Sequence, residues 1–137
     1  MDEKIAHLGF IQGVINRMGG NSFMIKGWCV ALIAAIFALS ADKANASFVY
    51  LALFPLFVFW GLDTFFLRQE KMYRKLYEEV ANGNVQSDKF TMNASVYSKD
   101  IGCYLEVAFS KTFLPFYGTM IVMIIVFMWK VLDLFKQ

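Results

Sequence analysis

The chain has little with which to do chemistry. Its 137 residues contain one histidine, His7, and two cysteines, Cys29 and Cys103. Cys29 lies inside an apolar run, so a disulfide between the two is not expected, and neither has metal-ligand spacing to another donor. There is no nucleophile elbow, P-loop, HExxH or CxxC. The expectation is a protein that is not an enzyme and carries no cofactor and no metal. Charge is also scarce. Charged residues make up 18% of the chain, against about 25% in soluble domains. A net charge of +2 is too small to imply a nucleic-acid partner.

Apolar surface is what the chain has in excess. Hydrophobic residues reach 58%, with fifteen Phe, against about 45–50% in an ordinary globular domain. A soluble domain of this length cannot bury that much. The expected fold class is therefore an all-α membrane protein with three transmembrane helices in a single membrane domain, 1–137. Over 1–20, Ile5, Leu8, Ile11, Ile15 and Met18 recur at three- and four-residue steps. That is one helix face on a run too short to span a bilayer, and it predicts an N-terminal amphipathic helix on the membrane surface or packed under the spans. Gly19-Gly20-Asn21-Ser22 is expected to break it. The first span follows over 23–41, and the second over 48–67. The turn at 42–47 carries Ala44-Asn45-Ala46, which resembles a signal-peptidase site. The long patterned segment before it and the span immediately after it argue for retention.

Past Leu67 no breaker occurs until Asn82-Gly83, so the second span is expected to continue as a cytoplasmic helix to 82. Met72, Tyr73, Leu76, Tyr77 and Val80 form its apolar face. A polar loop over 83–99, a short helix over 100–111 and a third span over 112–129 complete the chain. Pro55 is read as a tolerated membrane-helix proline that kinks the second span, and Pro115 as a first-turn proline. Ten Lys and Arg fall in the N-terminal segment through Lys26 and in 68–111, against three in the 42–47 turn and the tail. By the positive-inside rule the N-terminus is cytoplasmic and the C-terminus lies on the far side.

Lys26 and Asp63 are the sharpest pair. They stand eighteen residues before and nineteen after residue 44, the centre of the turn. In an antiparallel hairpin they share a depth, which makes an intramembrane ion pair, structural or gating; Arg17 is a rival partner for Asp63. Arg68, Lys71, Arg74 and Lys75 form a basic cluster able to contact anionic lipid headgroups or an anionic ligand, or simply to set topology. Gly27, Ala31 and Ala35 make a small-residue stripe for helix packing, within the chain or between copies.

The motif Arg17-Met18-Gly19-Gly20-Asn21-Ser22-Phe23-Met24-Ile25-Lys26-Gly27-Trp28, with Phe59-Trp60-Gly61-Leu62-Asp63 and Leu67-Arg68-Gln69-Glu70, resembles a group of uncharacterised small bacterial inner-membrane proteins. More loosely, the layout of a flanking helix, two spans and a cytoplasmic helix is similar to that of SLATT-type predicted membrane effectors, which are proposed to form pores; the third span departs from that plan. The resemblance implies a multi-pass protein of the bacterial cytoplasmic membrane and transfers no functional residues. Two functions are expected from it and from the residues. One is a homo-oligomeric channel, pore or membrane-effector subunit. The other is a scaffold or anchoring subunit whose cytoplasmic helices bind a partner protein. Membrane lipids are partners in either case.

Overall fold

A computed structural model describes residues 1–41, 43–134 and 136. The helices are α1 (Asp2–Ser40), α2 (Leu53–Ala81), α3 (Tyr104–Ala108) and α4 (Leu114–Leu134), with 3-10 stretches at Lys43–Ala52 and Ser95–Tyr97. No strand occurs among the described residues. Three helical stretches, Asp2–Ser40, Ser47–Ala81 and Leu114–Asp133, are long and apolar enough to cross a membrane. The 21 residues of α4 measure about 32 Å at 1.5 Å per residue, close to the roughly 30 Å of a hydrocarbon core.

Several boundaries differ from the sequence expectation. α1 runs unbroken through 19–22 for 39 residues. Each glycine there costs about 1 kcal/mol relative to alanine, a weak local penalty beside the continuous ladder on either side. The second apolar stretch opens as 3-10 helix and becomes α-helix only at Leu53. Pro55 accounts for the junction: it has no N–H to give the Leu51 carbonyl, and its ring crowds that carbonyl. In the first turn of α2 it stands at the start of the ladder, not in the middle of a kinked helix. The helix expected over 100–111 shrinks to α3, because Gly102 has φ +89°, a left-handed residue that an α-helix cannot contain. α4 continues past 129, so Asp133 lies on the helix. Of the expected 42–47 turn, Asp42 lies outside the described residues, and 43–47 belong to the 3-10 stretch.

The chain divides into two compact units. One comprises Met1–Phe23 and Thr64–Val107. Its core is Ile11 and Ile15 of α1 against Met72, Leu76 and Val80 of α2, closed by Ala94. Ile11 and Ile15 of the N-terminal face are therefore covered by protein, while Ile5 at its edge stays exposed. α2 ends in a Schellman cap: Gly83, at φ +80°, donates its N–H to Val80 O, and Asn84 donates to Glu79 O. The Asn84 amide and Lys75 hold the half-buried Glu79 carboxyl below its usual range.

The other unit comprises Met24–Asp63 and Ala108–Gln137. Each of its three segments buries one narrow stripe. The stripes are Cys29, Ile33 and Ser40 on α1, Val49, Ala52, Leu56 and Asp63 on the second stretch, and Tyr117, Met120, Ile124 and Val131 on α4. Steps of three, four and seven residues give each helix one inward seam. The opposite faces expose Trp28, Leu32, Phe54, Phe57, Val122 and Ile125. A unit that buries a seam and exposes large apolar side chains has the surface of a membrane bundle.

Candidate functional site

The inward seams meet at one polar network. Asp63 on α2 is fully buried. Its Oδ2 accepts from Lys26 Nζ of α1 and, at 2.7 Å, from Tyr117 OH of α4. A carboxyl oxygen has two lone pairs and can accept from both donors at once. The ammonium of Lys26 lies 4.8 Å from the Phe113 ring centroid and 5.9 Å from that of Phe116, so the aromatic faces share its charge. The Tyr117 ring stacks on Trp60 at 5.3 Å with an interplanar angle of 8°. Trp60 Nε1 donates to Ala108 O at 3.0 Å, which ties α2 to the end of α3 just before α4. Local spacing builds the site: Trp60 and Asp63 are three apart on α2, and Phe113, just before α4, stands four before Tyr117, whose N–H donates to the Phe113 carbonyl at 3.0 Å.

Physically the network neutralises what would otherwise be an isolated carboxylate among apolar helices. A lone Asp at the centre of a span costs about 2.5–3.5 kcal/mol on insertion scales. Here the carboxylate, the ammonium and the phenol satisfy one another, and a single cluster fixes the register of α1, α2 and α4. Lys26 and Asp63 are thus brought together, and Arg17 is exposed. Tyr117 is the member that sequence reasoning missed. The signal was its phenol, which lies inside an uncharged apolar stretch and needs a partner when buried.

The basic cluster is dispersed into internal contacts. Arg68 donates Nη2–H to Ser98 O at 3.0 Å and Nε–H to Gly102 O at 3.3 Å, and its guanidinium lies 4.8 Å from the Tyr104 ring centroid. It clamps the turn before α3 and is not free for an anion. Arg74 holds Glu70 through two N–H groups at 2.7 and 3.0 Å. Lys75 lies 3.3 Å from Glu79 and 3.8 Å from Glu78. Lys71 is half-buried. Gly27, Ala31 and Ala35 all face outward, so the small-residue stripe is not used for packing among the described residues.

His7 is a second residue whose place the sequence did not disclose. It is fully buried, and its Nε2 lies 2.7 Å from Thr91 O. A carbonyl only accepts, so the proton sits on Nε2. Phe90, at φ +44°, packs edge-on against His7 at 5.8 Å and against Phe10 at 6.0 Å. Together they latch the 83–99 loop onto α1. No group of three or more His, Cys, Asp or Glu able to hold a metal occurs among the described residues.

No family model, curated protein or solved structure matches the chain.

Proposed function

We propose that the protein is a non-enzymatic, multi-pass membrane subunit that anchors or scaffolds a partner protein. The observation that carries this reading is the division of one chain into two differently surfaced units. One has its own apolar core and an outer face bearing Gln12, Arg74 and Glu78; the other exposes Trp28, Leu32, Phe54 and Val122. The second suits lipid, and the first is a folded helical surface available to protein. Among the described residues, the Lys26–Asp63 pair is bonded to Tyr117 as well, which supports a structural use over a mobile-ion site. The distribution of Lys and Arg supports a cytoplasmic N-terminus, a second span extended into a cytoplasmic helix, and a C-terminus across the membrane. The sequence resemblance supports the bacterial inner membrane as its location.

A second reading, a homo-oligomeric pore or effector subunit, is favoured by the outward-facing Gly27, Ala31 and Ala35, since small residues allow close approach of helices in lipid. Purified protein in liposomes separates the two. The anchoring reading expects no ion flux above that of empty vesicles, and photo-crosslinks from Gln12 or Glu78 to a different protein in cells. Ion flux, with crosslinks only between copies at Ala31 and Ala35, would replace it with the pore.

A further inference from the structure

On the face of α4 away from Asp63, an apolar groove of about 350 Å³ runs between α4 and α1, lined by Phe37, Val122, Met123, Val126, Phe127 and Lys130. Phe37 and Phe127 stack at 4.1 Å and 12° and form one flat wall. Every lining side chain except the last is apolar. From Val122 to Lys130 is eight residues, about 12 Å along a helix, within the roughly 15 Å depth of one leaflet. Lys130 closes the end where Trp129 is 72% exposed, the pairing that marks a headgroup boundary. Lys130 is exposed and makes no ion pair among the described residues.

We propose that this groove is a binding site for an anionic phospholipid, with one acyl chain along Val122, Met123 and Val126 and the phosphate on Lys130. The argument is complementarity in both halves. An apolar trough one leaflet deep fits a chain, and an ammonium with no ion pair among the described residues at its mouth fits a headgroup of net negative charge better than a zwitterionic one. The site is distinct from the basic cluster of α2, whose arginines are spent on Glu70 and on the carbonyls of Ser98 and Gly102.

The inference rests on the reading of α4 as a membrane span, and the test keeps the two apart. Full-length protein in detergent is titrated with phosphatidylglycerol and with phosphatidylcholine, and bound lipid is counted by native mass spectrometry. The wild type is expected to favour phosphatidylglycerol about fivefold. Lys130→Gln should bring the two lipids to parity, Lys130→Arg should restore the preference, and Val126→Trp should reduce retention of both. An unchanged preference in Lys130→Gln would overturn the proposal. Alkaline carbonate extraction of membranes is run alongside. Protein that stays in the membrane while Lys130→Gln has no effect sinks the lipid site alone; protein released by carbonate sinks the spanning reading as well.

Discussion

Asp63 shows how one carboxylate can organise three apolar helices. Its partners come from different elements, Lys26 from α1 and Tyr117 from α4, and each supplies a donor to the same oxygen. Removing one member of a buried pair strands the other charge, typically at about 3–5 kcal/mol, whereas removing both costs far less. Lys26→Met and Asp63→Leu are therefore expected to destabilise the protein strongly when made singly and much less together, as read by thermal unfolding in detergent. Tyr117→Phe removes one hydrogen bond to a charged group and should cost about 1.5–3 kcal/mol. Additive losses in the double variant would mean that the pair does not hold the helices. Lys26 and Asp63 could be matched from the sequence because depth in a hairpin is simple counting from the turn. Tyr117 could not, because no count links α4 to the hairpin across a loop and a short helix. His7 and Thr91 were hidden for the same reason: a hydrogen bond across 84 positions leaves no local pattern.

At the scale of elements, period and caps were readable, but continuity was not. The face formed by Met72, Leu76 and Val80 is inward as spaced, and Asn82-Gly83 closes α2 because only a left-handed residue allows the Schellman bonds. The glycine pair in α1 misled, since local propensity is a weak prior against a long hydrogen-bonded ladder. The N-terminal face left two covers open, a membrane surface or the protein's own helices. An amphipathic stripe states that something apolar will cover it, not whether that is lipid or protein, and here it is α2. Leu76→Ala, in the middle of this core, should therefore cost about 2–5 kcal/mol. Ile5→Ala, on the exposed edge, should stay within about 0.5 kcal/mol. Amide hydrogen exchange over α1 and α2 reads both. Equal effects would mean that the Ile11–Leu76 core does not hold this unit together.

For the whole molecule, the three helical stretches long and apolar enough to cross a membrane agree with a composition of 58% hydrophobic residues, more than one small soluble core can cover. Partner and process did not follow, because recognition depends on exposed surface, and periodicity reports only the buried face. The proposed arrangement, an apolar three-helix bundle and a folded helical unit with charged outer residues, stands or falls on an odd number of crossings. Site-directed labelling with a membrane-impermeant maleimide, in a Cys29→Ala background, tests this most directly. Cys103 is exposed and should be labelled only after the cells are lysed, whereas a Lys136→Cys variant carrying Cys103→Ser should be labelled in intact cells. Protection of position 136 in intact cells, with labelling only on lysis, would contradict the third crossing and with it the proposed topology.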